Sequence, residues 1–375
     1  MKALLICALS LAICLAALEG AARYLRPARV ENPRYLAISR DFERLAELVA
    51  DKYESGGLEY YDYQLFAVRP FESRSVTITP YHSSRLTPAS LPRAEARTLV
   101  WTFGGSTMQN FETTDDLTIA NTIAVVFAEH GLRPRVENFG VGSFQSSLEL
   151  VQFTSLLARV PEPERPAVAI FYDGFNDAHH GYAFGAGAIQ RDVAQKLGML
   201  VEERSARVAL YGASAWLAQR SQAWTRLVHD RLQLRLFSGP PADTTEENLE
   251  RTVDIYLRNV EMSDAVCRVY ATRCFFVLQP LVVTKTPLAA SERDALAEIG
   301  EANAKFVRDF YDRVRNRLAD EPDFVDASRI LDRRESDDFY DLGHTSALTS
   351  PVIGRAVADL ILARLAEPGA HSAGR

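Results

Sequence analysis

A serine behind two glycines, a side-chain amide in a Gly-Phe-Asn-Asp run, and a carboxylate three residues before a histidine are the groups of this chain that could do chemistry together. They stand in four blocks: Phe103-Gly104-Gly105-Ser106-Thr107, Asn138-Phe139-Gly140-Val141-Gly142-Ser143, Gly174-Phe175-Asn176-Asp177 and Asp341-Leu342-Gly343-His344. Ser106 offers a hydroxyl nucleophile at a turn that its two preceding glycines permit. On a tight turn, Asp341 can reach Nδ1 of His344 and fix its tautomer, which leaves Nε2 to face a serine. Asn176 brings an amide donor, and the second block brings backbone N–H groups, for an oxygen that acquires negative charge. These are the parts of serine-dependent acyl chemistry.

Taken alone, each part has a plainer reading. Ser106 could cap a turn, Asn176 could be a turn asparagine, and Asp341-x-x-His344 could be a helix entry with a solvated acid. Their order decides between the readings. Each of the first three blocks follows a strand-like run, and the fourth follows the last such run, where chain topology returns it to the edge that carries Ser106. The first block lacks the Lys-Ser/Thr of a phosphate loop and the G-x-G-x-x-G spacing, and it is not a G-x-S-x-G elbow. His179 and His180 are adjacent, so they point apart and lack metal spacing. Phe144, Phe175 and Tyr182 are candidates for the wall of an acyl or sugar pocket, with packing as the plainer role.

Strands and helices must position these groups. Thr98–Phe103, Ala167–Tyr172 and Cys274–Leu278 are short, almost wholly apolar runs, as strands covered on both faces are. Arg135–Phe139 and Asp323–Asp326 are weaker candidates. Ile119, Ile123, Val126 and Phe127 share one helical face, as do Leu249, Val253, Tyr256, Leu257 and Val260. Asp115 or Asp116 is expected to cap the first of these helices. A Thr244-x-x-Glu247 box opens the second, and Ser350-Pro351 opens the last helix, which Glu367-Pro368-Gly369 ends. Alternating elements with right-handed crossovers predict an α/β fold, a three-layer α/β/α sandwich whose site lies beyond the carboxyl ends of the strands.

The chain has 375 residues, 47% of them apolar and 24% charged, which is ordinary for a globular protein. A net charge of −7, with no Lys/Arg tract longer than a pair, excludes nucleic acid as a partner class. Between Lys2 and Arg23 the residues are apolar or small apart from Ser10 and Glu19, enough helix to span about 30 Å. The shorter run Leu4–Leu18 fits a signal-peptide core, with cleavage after Ala22. Residues 1–27 are therefore read as a signal peptide or signal anchor that exports the rest, although Arg23, Arg26, Arg29 and Arg34 run against the positive-inside rule. Residues 28–96 form a membrane-proximal extension with a helix near 40–53, then irregular or edge-strand structure. Residues 97–367 form the main domain, with a helical insertion at about 178–245 marked by Leu197, Leu200, Val201 and the stretch Ala215–Leu236. Residues 368–375 form a tail. In an exported domain Cys267 and Cys274 are expected to bridge; two buried thiols are the alternative. Cys7 and Cys14 belong to the leader.

The ordered set of four blocks resembles the SGNH or GDSL hydrolase superfamily over roughly residues 97–365, and leader plus extension looks like its membrane-anchored bacterial members. The resemblance implies a flavodoxin-like five-stranded parallel sheet, with Ser106 as nucleophile, His344 as base and Asp341 orienting it. It implies an oxyanion hole made by the N–H of Ser106, the N–H of Ser143 and the side chain of Asn176. Two departures stand out. Gly105 replaces the family's Asp, and Ser143 replaces its usual Gly. The backbone N–H of Ser143 survives that change if its φ is one that any residue adopts; otherwise Gly140 or Gly142 is the alternative donor. The function implied is an exported serine esterase acting on O-acyl, above all O-acetyl, esters of a carbohydrate. It would need no cofactor and no metal, with a small-molecule or glycan ester as substrate and the membrane as partner. An O-acetyltransferase with the same site, a catalytically silent glycan-binding or assembly component at the membrane, and a cytoplasmic acylhydrolase with an apolar tail are the alternatives.

Overall fold

The computed structural model describes residues 2–24, 32–52, 57–189, 206–232 and 242–366. The chain divides into two compact units, residues 1–30 with 189–241, and residues 31–188 with 242–375.

The larger unit is built on a parallel sheet of five strands: β5 (Thr98–Gly104), β6 (Pro134–Asn138), β7 (Val168–Asp173), β8 (Arg273–Leu278) and β9 (Phe324–Asp326). Their spatial order is β6-β5-β7-β8-β9, the flavodoxin arrangement. Every residue of β7 is buried, because helices cover both faces of this central strand. The chain leaves β5 to one side for β6 and then crosses to β7 on the other, so the order reverses between β5 and β7. Thr102 of β5 lies opposite both Asn138 and Ile170. The carboxyl ends of β5 and β6 therefore finish beside β7, which puts the first three blocks at one edge. Phe103, Phe171 and Phe276 stack across β5, β7 and β8 at centroid separations of 5.0 and 5.3 Å, fastening the strands that carry the site. Helix α5 (Ile119–Glu129) packs on the final helix Thr349–Ala366, while Glu246–Val269 packs on α6 (Ser146–Arg159), α7 (Phe175–Phe184) and Glu301–Leu318.

Three helix starts differ from expectation. Thr118, not Asp115 or Asp116, caps α5: its extended backbone lets the hydroxyl accept from Asn121 N at 3.0 Å, whereas the two aspartates lie in a short 3-10 turn. Thr245 rather than Thr244 caps Glu246–Val269, accepting from Asn248 N at 3.2 Å. The final helix begins at Thr349, one residue before Ser350.

Residues ahead of the sheet fold into this same unit. Helices α2 (Pro33–Ile38) and α3 (Leu45–Lys52) precede an antiparallel hairpin of β1 (Leu58–Tyr61) and β2 (Leu65–Val68), then the short pair β3 (Phe71–Glu72) and β4 (Thr77–Ile78). Phe42, Leu48 and Val76 share a small apolar cluster with Phe111 and Ala347, so this segment packs on the loops that follow Ser106 and His344. Cys267, near the end of its helix, and Cys274 in β8 are disulfide-bonded, which decides between the two readings of this pair.

In the smaller unit α1 (Lys2–Tyr24) is accompanied by the helix Ala206–Ala218 and the turns Gln222–Trp224 and Thr225–His229. Glu19 of α1 accepts from Ser221 Oγ at 2.7 Å, Gln222 N at 3.1 Å and Ala223 N at 3.2 Å. Among the described residues no helix is long and apolar enough to cross a membrane. The side chains of residues 2–9, 11 and 12, which carry much of the apolar run, lie outside the described residues, as do Arg26, Arg29, Leu197, Leu200, Val201 and the tail 368–375.

Candidate active site

Ser106 is the first residue of a one-turn helix, α4 (Ser106–Gln109), which Gly105 joins to the end of β5. A first-turn N–H has no partner within its own helix, which leaves the Ser106 N–H for an acceptor outside α4. Ser106 Oγ lies 2.7 Å from His344 Nε2, and His344 Nδ1 lies 2.7 Å from Asp341 Oδ2. The other oxygen, Asp341 Oδ1, accepts from the backbone N–H of Gly343 at 2.9 Å and of His344 at 2.8 Å. One carboxylate thus closes the turn and orients the ring, which is the physical content of the three-residue spacing. Burial pushes the Asp341 carboxyl up, but His344 and the two N–H donors outweigh it and hold it below the usual range. An ionised Asp341 can only accept, which assigns the proton to Nδ1 and makes Nε2 the acceptor for the Ser106 hydroxyl.

Asn176 stands on the first turn of α7, and its Nδ2 donates to Phe144 O at 2.6 Å. Its amide carries a second N–H. A Cβ built on Gly105 would lie 2.2 Å from Asn176 Nδ2 and 3.0 Å from Phe144 O. A glycine at this position therefore has a local cause: Asn176 occupies the space where a side chain would stand. Gly140 N donates to Asn138 Oδ1 at 2.9 Å, and Gly142 N donates to Gln109 Oε1 at 3.0 Å. Both alternative donors are thus already engaged. Ser143 has φ +68°, in the left-handed region, so it does not meet the condition of a φ that any residue adopts. An L-residue there costs about 1–2 kcal/mol. The strain falls on its Cβ and leaves the backbone N–H in being, and with Gly140 N and Gly142 N engaged it is the candidate donor that the block retains. Next to it, a Cβ on Gly142 would sit 4.0 Å from Ser106 Cβ, which brings the second block up to the nucleophile.

No family model matches the chain, and no curated protein matches it. The chain is similar to several solved structures. One is a lipolytic protein of the G-D-S-L family from Desulfitobacterium hafniense, at 10% identity and TM-score 0.37, covering 70% of this chain and 99% of that one. Another is the acetyl xylan esterase AlAXEase, at 11% identity and TM-score 0.36, covering 71% and 98%. A third is the lipase Lip_vut3 from a goat rumen metagenome, at 10% identity and TM-score 0.39, covering 71% and 97%. These likenesses are remote. The chemistry of the site rests on its geometry.

The structure also sets out the other candidates. His179 Nδ1 lies 3.4 Å from Asn303 Nδ2, and its ring centre is 6.0 Å from that of Phe175, which meets His344 edge-on at 5.6 Å. His179 is thus the histidine on the side of His344, and burial pushes its pKa down. His180 turns to Phe184 instead, and burial followed by the neighbouring His179 takes it down to about 3. Among the described residues no cluster of His, Cys, Asp and Glu could hold a metal. Phe144 packs on Phe66 and Tyr182 on Phe306, both in T-shaped contacts.

Several supporting residues carry no sequence signal. Arg85, buried, donates to Gln109 O at 2.7 Å, Thr113 O at 2.6 Å, Asp115 Oδ1 at 3.0 Å and also Asn110 O. Its guanidinium sits on the carboxyl end of α4, where a cation is favoured, and its backbone N–H donates to Asn138 O at 2.8 Å. One arginine of the N-terminal segment thereby ties the first block to the second. Lys285 Nζ meets Glu292 Oε1 at 2.8 Å and Asp338 Oδ2 at 2.9 Å, all three buried. Glu292 Oε1 accepts from the N–H of Asp338 at 2.9 Å and of Phe339 at 3.1 Å, anchoring the loop that carries Asp341 and His344. Asp177 accepts from Ser146 N at 3.2 Å and from its Oγ, fixing the start of α6 against α7.

Proposed function

We propose that the protein is a serine esterase of the SGNH type that cleaves O-acyl esters. The observation that carries this is the continuous relay from Ser106 Oγ through His344 to Asp341, at 2.7 Å and 2.7 Å. Ser106 Oγ attacks the ester carbonyl carbon while its proton passes to His344 Nε2, and the carbonyl π pair moves onto oxygen. The N–H of Ser106, the N–H of Ser143 and the amide of Asn176 hold that oxyanion, each such donor contributing about 2.7–4 kcal/mol. As the tetrahedral intermediate collapses, the alcohol leaves with the proton from His344. His344 then takes a proton from water, whose oxygen attacks the acyl-serine carbonyl. A second collapse releases the carboxylic acid and returns the proton to Ser106. Asp341 keeps the ring in its tautomer and stabilises the imidazolium throughout. An intact relay favours this reading over a silent component.

The substrate class we favour is an O-acetylated carbohydrate, met outside the cytoplasm. The Cys267–Cys274 disulfide supports an oxidising compartment. The use of Glu19 as partner for Ser221, Gln222 and Ala223 supports retention of the first helix rather than its cleavage after Ala22. The test is acetate release by the full-length protein from p-nitrophenyl acetate and a panel of acetylated sugars. His344→Ala should lose roughly 10⁴-fold or more in kcat. Transfer of acetyl to an added sugar in preference to water would redirect the reading to an O-acetyltransferase. Equal turnover by the wild type and His344→Ala would end it.

A further inference from the structure

The loop that carries the base is backed by groups that the esterase reading leaves unused. The Tyr340 ring stacks on His344 with centroids 5.7 Å apart and planes 19° from parallel. Its hydroxyl donates to Glu112 Oε1 at 3.2 Å. Both residues are buried, Glu112 at 6% exposure and Tyr340 at 9%. Glu112 and His344 line one small cavity together with Thr107, Asn110 and Thr345. Helix α2 holds the pair in place. Tyr35 OH donates to Glu112 O at 2.8 Å, its ring meets Tyr340 edge-on at 5.3 Å, and Arg34 Nη1 donates to Tyr340 O at 2.8 Å.

A phenol that donates to a carboxylate carries extra electron density on its ring face, and such a face attracts a cation stacked on it. His344 is neutral while it waits and cationic once it has taken the serine proton, so the attraction grows toward the transition state. We propose that Tyr340 and Glu112 are a positioning pair behind the base, fixing the plane of the imidazole and stabilising the imidazolium formed as the Ser106 Oγ–H bond breaks and its proton passes to Nε2. This rests on the reading of Ser106 and His344 as nucleophile and base. The other groups facing the ring are Asp341 from its own loop, and Phe175 and His179 from α7; Arg34 from α2, paired with Glu298 at 2.7 Å, reaches the Tyr340 carbonyl behind it. Among these Glu112 is the carboxylate that reaches the imidazole through an aromatic ring. Burial and the Glu112 charge hold the Tyr340 phenol far above its ordinary range, so it stays a donor.

The experiment follows kcat and KM for p-nitrophenyl acetate from pH 5 to 9, with the ring resonances of isotope-labelled His344, in the wild type, Glu112→Gln, Tyr340→Phe and Tyr340→Leu. Glu112→Gln should move the acid limb of kcat/KM, and the ring titration with it, to lower pH by about half to one unit, because a negative charge near the imidazolium is gone. Its kcat should fall about three- to tenfold with KM within about twofold. Tyr340→Phe keeps the ring and should show the same sign with a smaller shift; Tyr340→Leu should lose about tenfold in kcat. A purely structural role would lower the melting temperature and leave the pH limb in place. An unmoved limb and an unmoved ring titration in folded Glu112→Gln would overturn the proposal, and Tyr340→Phe, one oxygen smaller, decides if that variant does not fold. If the wild type hydrolyses no ester and Ser106 takes no fluorophosphonate, the esterase reading fails instead, and the ring titration still tests the pair.

Discussion

A side chain placed at Gly105, beside Ser106, should damage the esterase activity proposed above. Gly105 has φ −79° and ψ −150°, a backbone that any residue can adopt, so a substitution there meets steric resistance alone. Its Cβ would lie 2.2 Å from Asn176 Nδ2, and ordinary contact begins at 3.4 Å, so the amide must retreat by about 1.2 Å (3.4 − 2.2). A retreat of that size breaks the 2.6 Å bond from Asn176 to Phe144 O and moves the amide off the oxyanion. Losing one oxyanion donor costs about 10²–10³ in kcat, and a misplacement near 1 Å costs about 10². Gly105→Ala should therefore lose about 10²–10³ in kcat, and Gly105→Asp at least as much. Overpacking should cost about 1–3 kcal/mol of stability, a few degrees in melting temperature. The assay is p-nitrophenyl acetate hydrolysis in a double-mutant cycle with Asn176→Ala. Because Gly105→Ala acts through Asn176, the double variant should match Asn176→Ala alone rather than multiply the two losses. Gly105→Ala within about threefold of wild-type kcat would refute the steric account, since the oxyanion donor would then have survived.

Ser143→Gly relieves the left-handed φ and should stabilise the fold by about 0.5–1 kcal/mol with kcat within about twofold; a lowered melting temperature would contradict this. The buried carboxyls Glu149, Asp173 and Asp177 are all raised by burial first; neighbouring carboxylates add to the rise of Glu149 and Asp173, while hydrogen bonds from Ser146 hold Asp177 back, at about 6. Acids with raised folded-state pKa values leave the folded state holding protons that the unfolded chain has released. Their stabilisation is complete below about pH 4 and is lost as pH rises toward 6 and beyond. Urea denaturation should accordingly show Glu149→Gln gaining stability over the wild type at pH 7.5 relative to pH 4.5. The same difference at both pH values would remove the cluster from the account.

How much of this was legible in the sequence follows from the range of each interaction. Three of the five strands announce themselves as short apolar runs and the other two only weakly, and Asp341 and His344 meet through a turn closed by the same carboxylate, so four residues of sequence contain the whole motif. Ser106, Asn176 and the second block could be placed because parallel α/β sheets put their loops at one edge. Long-range sterics escaped. Gly105 looks like a degenerate family motif until Asn176, some seventy residues later, is seen to fill its side-chain space. The left-handed φ of Ser143, next to a Gly142 N–H that donates to Gln109 some thirty residues earlier, is encoded by no local pattern. Arg85, Glu112 and Tyr340 act through partners on separate elements, and Arg85 sits in a Ser-Ser-Arg stretch that reads as surface. Cap positions missed by one to three residues, because Asp, Ser and Thr neighbours compete for the same first-turn N–H groups.

The central claim is that His344 activates Ser106, and fluorophosphonate labelling followed by peptide mass spectrometry tests it most directly. The account predicts one adduct, on Ser106, formed rapidly by the wild type and slowed by about 10³-fold or more in His344→Ala. Labelling of another residue, no adduct on the folded protein, or equal rates with and without the imidazole would contradict it.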